Sequence, residues 1–376
     1  MDDIYRQLQK HLDKAPVGYP ATKSGVELRL LKHLFTEEEA KIALHLSVLP
    51  ETVDKIFKRI RKGEMDKKDL EVKLNTMAEK GTIMSIPKGK DKSIRAYSKI
   101  PLAIGMFEFQ VNRITKELAK DFYDYEEEAF AKELLQVKTR QMRTIPVNVK
   151  IDPQFHVGNY DKITEIIKDS PGPFAVMNCI CRQAKDLLNE PCKQTDIRET
   201  CLTFENAARS MMERGVAREL SREETLKMMT RAKKEGMVLQ PENNQKPSFI
   251  CFCCGCCCGI LQGAKKFEKP AEFLHSNFFA EINAETCEIC EDCQNICQME
   301  AIDRVNSHME VNLDRCIGCG LCIPVCSTKS IRLLKKEKEF SPPKDTQDMY
   351  KKITYNKFGL LGTLKFAGKA AMGQKV

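Results

Sequence analysis

Eight of the eighteen cysteines in this 376-residue chain form one pattern twice. Cys287, Cys290, Cys293 and Cys297 follow C-x-x-C-x-x-C-x-x-x-C, and Cys316, Cys319, Cys322 and Cys326 repeat it 29 positions later. Three thiolates at this spacing turn a short loop around one cubane iron–sulfur cluster, and the fourth lies just beyond, at the start of a helix. The doubled run predicts two [4Fe-4S] clusters and makes electron transfer the first expectation. Zinc also uses paired C-x-x-C steps, but four ligands per site leave the third step of each half unexplained.

The other ten cysteines form two sets. The first is Cys179 and Cys181, with Arg182 directly after, then Cys192 and Cys201. The second is Cys251, Cys253, Cys254, Cys256, Cys257 and Cys258, six thiols in eight positions. So many free thiols in contact would invite oxidation, so they read as metal ligands rather than core. On extended chain Cys251 and Cys253 share a face; on a helix Cys253 pairs with Cys257 and Cys254 with Cys258. The first set has enough cysteines for one cubane alone. Arg182 is placed to offset thiolate charge and to donate to cluster sulfides. One or two additional iron–sulfur clusters are expected, with zinc or redox-active thiols as the alternative. Spacing does not say which cysteine serves which centre.

The C-terminal run resembles the bacterial two-cluster ferredoxin fold over roughly residues 284–334. That resemblance implies crossed ligation, in which Cys287, Cys290 and Cys293 take Cys326, and Cys316, Cys319 and Cys322 take Cys297. Ile302 and Ile331, each five residues after a fourth cysteine, stand where an apolar residue packs between the clusters. The family's proline after the fourth cysteine is Gln298 in one half and Ser327 in the other. With the two other cysteine segments and the helical N-terminal part, the chain resembles multi-cluster iron–sulfur proteins of anaerobes that carry an N-terminal winged helix. The resemblance implies electron transfer with an unassigned partner, and no reaction.

The net charge of +8, from 61 basic and 53 acidic residues, favours redox partner proteins with acidic docking surfaces. It is too diluted to demand nucleic acid, and the absence of Trp leaves little base-stacking surface. Cysteine usage and a polar start, Met1 to Tyr5, indicate a reducing cytoplasm, and cluster lability suggests an anaerobe. No apolar run approaches the roughly 18–20 residues of a transmembrane segment. No G-x-G-x-x-G or Walker loop appears. The six His (His11, His33, His45, His156, His275, His308) make no ligand or nucleophile pattern with cysteine. No catalytic residue is expected, and the chain is not expected to do substrate chemistry alone. An open iron position in the central domain, binding substrate, is a further reading.

The elements that must hold these residues read as a multidomain α+β chain. Residues 1–100 predict a winged-helix-like domain. Its helices include Leu28–Leu34, one capped by Thr36 and Glu39, one from Pro50 and one from Asp66. Strands Ile83–Ile86 and Ile94–Tyr97 follow, joined by the turn Pro87–Lys92. A cluster-based redox-sensing DNA-binding regulator is therefore the alternative function. The fourth helix offers Lys67, Lys68 and Lys73 outward, but also Asp69, Glu71 and Glu79. Residues 101–143 predict a solvated linker helix, Phe107 to Leu135, with an acidic run at Asp121–Glu128. Residues 144–275 predict a cysteine-rich α+β domain with strands Ile145–Val149 and Pro173–Met177 and a helix Tyr160–Asp169. A further helix is capped by Ser221 and Glu224 and ended by Gly236. Residues 276–336 make the two-cluster ferredoxin domain. Residues 337–376 predict a basic flexible tail, whose Phe358, Leu360, Leu361, Leu364 and Phe366 allow contact with a partner or a membrane surface.

Overall fold

The computed structural model describes residues 3–60, 63, 65–88, 94–135, 137–147, 158–372 and 374–376. They fall into two compact bodies, Met1–Val137 with Ile353–Val376, and Lys138–Lys352. Both mix helices with small sheets.

In the first body, helices α1 (Ile4–Asp13), α2 (Val26–Leu34), α3 (Glu37–Ala43), α4 (Val53–Phe57) and α5 (Lys67–Glu79) pack with strands β1 (Glu51–Thr52), β2 (Ile83–Lys88) and β3 (Ile94–Lys99). The sheet order is β1-β3-β2, antiparallel throughout. Thr36 opens α3 with the expected capping box to Glu39, and Asp66 caps α5 through the Asp69 N–H at 2.8 Å. The apolar stripes point inward, with Leu30, Leu31, Leu70, Leu74 and Met77 fully buried. The helix expected from Pro50 begins only at Val53, because Glu51 and Thr52 pair with Tyr97 and Ala96. The tip of the expected turn, residues 89–93, lies outside the described residues.

Two expectations in this body are corrected. The linker helix is interrupted. Asn112 adopts φ +65°, and Thr115 caps a new helix, α6 (Lys116–Tyr125), which continues through Glu126–Phe130 into α7 (Ala131–Leu135). Its acidic run is partly engaged, although Glu127 and Glu128 stay exposed. Asp121 pairs with Arg29 at 2.9 Å and His33 at 3.0 Å, and Glu128 accepts from the Lys23 and Ser24 N–H groups. Phe107 stacks on Phe122, and Tyr125 and Phe130 are fully buried, so one face of the segment is core. The tail is likewise not loose. A helix runs from Thr346 to Ala371, bent at Gly359. Lys357 Nζ meets Glu133 at 2.8 Å, and the Val48 N–H donates to the Val376 carbonyl. Tertiary contacts override the low helix propensity of its glycines.

The second body is built on a five-stranded antiparallel sheet of β4 (Phe174–Asn178), β5 (Glu199–Phe204), β6 (Ala217–Leu220), β7 (Val238–Pro241) and β8 (Phe249–Cys253), in the order β6-β4-β5-β8-β7. Helices α8 (Ile163–Asp169), α9 (Ile180–Leu187), α10 (Glu205–Glu213), α11 (Arg222–Lys234) and α12 (Gly259–Lys265) connect it. Ser221 and Glu224 form the capping box of α11, and Gly236 follows it at φ +67°. The helix expected from Tyr160 is split into a turn, Asn159–Asp161, and α8. Of the expected strand Ile145–Val149, Ile145 makes a single bridge to Leu239, and residues 148–157 lie outside the described residues.

Beyond the sheet, β9 (Phe278–Ile282) pairs with the distant β12 (Ile331–Lys335), and β10 (Ile302–Val305) pairs with β11 (His308–Val311). A single short turn of helix, α13 (Asp292–Asn295), lies within the first cysteine run. The β9–β12 pair brackets both cysteine runs, so their loops face each other. The central and C-terminal segments share this body. The Thr144 N–H donates to His275 O at 2.8 Å, and the Val147 N–H to Cys319 O at 2.9 Å. A buried pair, Arg143 and Asp161 at 2.5 Å, is tied to Asn277, whose Nδ2 donates to Asp161 at 2.8 Å.

Candidate metal centres

The two C-terminal runs enclose two cavities. One is lined by Cys297, Cys316, Cys319 and Cys322, walled by Ala280, Ile302, Ile317 and Leu321. The other is lined by Cys287, Cys290, Cys293 and Cys326, walled by Ile282, Met309 and Ile331 and edged by Glu288, Glu291 and Thr328. Each collects three thiols from one run and the fourth from the other. Gly318, at φ +62°, sits where a Cβ would lie 2.1 Å from Phe278 O, so only glycine lets the second run pass against β9.

Backbone N–H groups aim at the cysteine sulfurs. Ala280 N–H reaches Cys316 Sγ at 3.4 Å, Ala301 N–H reaches Cys297 Sγ at 3.3 Å, and Ser330 N–H reaches Cys326 Sγ at 3.2 Å. Such bonds stabilise thiolate charge and raise a bound cluster's reduction potential. Burial pushes the Cys293 thiol up to about 11 and the Cys322 thiol well above its ordinary value. Loading metal there must therefore displace protons. Cys290 is exposed, whereas Cys316 and Cys322 are buried, so the two cavities differ in access to solvent.

The ten central cysteines sort in a way that spacing did not show. Cys192 leaves the set in which it was read and joins Cys254, Cys256 and Cys257, whose sulfurs all lie within 4.8 Å of one another. Cys192 is 3.6 Å from Cys254 and 3.7 Å from Cys256, and Cys256 is 3.6 Å from Cys257. Hydrogen bonding with Cys254, Cys256 and Cys257 lowers the Cys192 thiol far below its ordinary value.

The other six make a second, looser group. Cys179 interacts with Cys181, Cys251 with Cys201 and Cys253, and Cys253 with Cys258. Strand alternation explains part of this. Cys251 and Cys253 share a face of β8, and Cys251 stands opposite Cys201 of β5. The helical pairing of Cys253 with Cys257 and Cys254 with Cys258 does not occur, because the helix begins at Gly259 with Cys258 as its cap. Cys179 caps α9, so this eight-residue helix directs its N-terminal dipole at the group.

Arg182 lies between the two groups and is fully buried. Its Nη2 donates to Cys254 Sγ at 3.3 Å and to Phe252 O at 3.1 Å, and its Nη1 to Thr200 Oγ1. Burial disfavours its charge, but interaction with the sulfurs of Cys179, Cys254 and Cys192 outweighs that and raises its pKa. Its Nε is buried without a hydrogen-bond partner.

One participant was not singled out as polar machinery. Gln298, noted only as a missing proline, accepts from the Gly255 N–H at 2.8 Å and donates to Gln194 Oε1 at 2.8 Å. It links the loop of the cysteine quartet to Cys297, its neighbour in sequence. The signal was the departure itself, a buried amide standing where a turn-shaping residue was expected.

Two cavities lined by four thiols each, with backbone N–H groups on their sulfurs, define an iron–sulfur protein. A family model described as the LdpA Fe-S cluster-binding domain matches residues 286–337, which contain both C-terminal runs. Neither the curated proteins nor the solved structures provide a match. Among the described residues, no helix is long and apolar enough to cross a membrane.

Proposed function

We propose that the chain is an electron-transfer protein or subunit with two crossed [4Fe-4S] clusters and a further cluster in the central sheet. The observation that carries this reading is the sorting of the eight C-terminal thiols into two foursomes, each drawing its last member from the other run. Four sulfur donors, apolar walls and N–H groups on sulfur are the donor set of a cubane. Bound there, a cubane supplies a one-electron redox step.

The chain's own residues do the rest. The apolar wall of the Cys316 cavity, with Ile302, excludes water and lowers the local dielectric, whereas the other cavity adds Glu288 and Glu291 to Ile331 and opens at Cys290. The amides of Ala280, Ala301 and Ser330 set the charge on the ligating sulfurs. Four of the six thiols Cys179, Cys181, Cys201, Cys251, Cys253 and Cys258 hold the further cluster. The unpartnered buried Nε of Arg182 supports this, since a cluster sulfide beside it would accept that N–H.

Exposed Cys290 makes its cavity the exchange point with a partner. Glu285, Glu288 and Asp292 are exposed around it. Despite the net positive charge of the whole chain, a redox partner docking at this mouth would present a basic surface. The order of helices and the β1-β3-β2 sheet support a winged-helix reading of the first body. However, Lys67 pairs with Asp54 at 2.5 Å and Lys73 with Glu38 at 2.7 Å. Those pairs favour protein docking over phosphate binding.

The test is anaerobic reconstitution with iron and sulfide analysis and low-temperature EPR. More than about eight cluster irons per chain are expected, about eight from the two crossed cubanes and the rest from the further cluster. Fewer than about eight would defeat the crossed pair, and about eight with none beyond would remove the further cluster.

A further inference from the structure

The four sulfurs of Cys192, Cys254, Cys256 and Cys257 are closer together than the thiols of the proposed clusters. A tetrahedral ion with metal–sulfur bonds of about 2.3 Å sets its ligand sulfurs about 3.8 Å apart. In the quartet Cys192 lies 3.6 Å from Cys254 and 3.7 Å from Cys256, Cys256 lies 3.6 Å from Cys257, and all four sulfurs are within 4.8 Å of one another. A cubane interposes its own core of iron and sulfide, and so holds its four thiolates wider. The same chain supplies the comparison. Among the described residues, the quartet alone brings three or more possible ligands within 4.8 Å of one another, and neither cysteine-lined C-terminal cavity does so.

From these distances we infer that Cys192, Cys254, Cys256 and Cys257 bind a single tetrahedral metal ion, zinc or iron, through four thiolates and without sulfide. Zinc suits the site best, because all four positions are filled by protein and no coordination position is left open, as in structural zinc sites.

The surroundings are built for such an ion. Four thiolates around a divalent metal leave a net charge of about −2, and the buried Arg182 donates to Cys254 Sγ at 3.3 Å to offset it. The Lys193 N–H donates to Cys256. Three ligands come from the four residues 254–257, a tight loop that Gly255 permits. A Cβ at Gly255 would lie 2.2 Å from Gln298 O, and its N–H is held by the Gln298 side chain.

The fourth ligand, Cys192, is on the segment between α9 and β5, 62 residues away in sequence. The ion therefore staples that segment to the loop after β8. Through Gln298, next in sequence to Cys297, it also braces the neighbouring cluster cavity.

The test compares the full-length protein with Cys192→Ser and Cys256→Ser, purified anaerobically, for zinc, iron and acid-labile sulfide. Each variant is expected to lose about one metal equivalent with no loss of sulfide. Lost zinc identifies a structural zinc site. Lost sulfide-free iron, with its high-spin ferric EPR signal, identifies a mononuclear iron site. Loss of iron and sulfide together, or retention of all metal, overturns the inference. X-ray absorption at the zinc or iron edge of the unaltered protein gives a readout that does not depend on variants folding. At zinc, about four sulfurs near 2.3 Å with no metal–metal vector are expected. A zinc-free protein in which sulfide matches all iron also overturns the inference.

Discussion

Arg182→Met tests how far one buried cation holds the central thiolates together. The guanidinium is fully buried, and its Nη2 lies 3.3 Å from Cys254 Sγ. At an effective dielectric of about 20, a unit charge at that distance attracts a thiolate by about 5 kcal/mol. At about 1.4 kcal/mol per tenfold, that corresponds to an upper limit of about 10³–10⁴-fold in metal affinity. The variant also leaves Thr200 Oγ1 and Phe252 O without their donor, adding about 1–3 kcal/mol of instability for each acceptor that stays unmet. Arg182→Lys keeps the charge but loses the planar fork, so it should fall between. The assay is competition with a chelator for the ion held by the Cys192 quartet, followed by metal release. The methionine variant should surrender this ion at far lower chelator concentration, while the EPR signals of the C-terminal clusters persist. Equal chelator resistance in the variant and the parent would refute the reasoning.

Three further outcomes are expected. Cys326→Ser should alter the same EPR species as Cys287→Ser, and Cys297→Ser the same as Cys316→Ser; if each fourth cysteine instead tracks its own run, the crossing is wrong. Gln298→Leu strips the Gly255 N–H of its acceptor and cuts the bond to Gln194, so anaerobic denaturation should show a loss of about 1–3 kcal/mol, and no change would remove Gln298 from the bracing role. In the first body, burial, reinforced by Lys375 and Lys14, pushes Lys99 down from 10.5 to about 7. Between those values the unfolded chain binds more protons, so this group's contribution makes stability rise with pH. Lys99→Met should therefore raise the melting temperature more at about pH 6 than at about pH 9, and an equal gain at both would contradict the assignment.

Local signals were legible. The capping boxes at Thr36 and Ser221 lie where short-range chemistry puts them, and the alternation of Cys251 and Cys253 follows from extended chain. The doubled cysteine run carried its own geometry, because loop spacing and a repeated frame are local properties. What spacing could not carry was partner choice across long separations. Cys192 meets Cys254 because the five-stranded sheet places their loops together, and no local feature of Cys192 says so. The interruption after Phe107 is not legible in the sequence because polar periodicity continues across Asn112, while the break depends on its positive φ and on the Thr115 cap. The tail read as loose because glycine weighs against helix, whereas Lys357 and the Val376 carbonyl are held by residues remote in sequence.

Stepwise anaerobic reductive titration of the reconstituted protein, followed by EPR and reoxidation, is the most direct measure of electron transfer through paired clusters. The account predicts uptake of at least about two electrons per chain by the cysteine-run clusters, returned quantitatively to an acceptor. Uptake of fewer than about two electrons, or reduction that cannot be reversed, would contradict it.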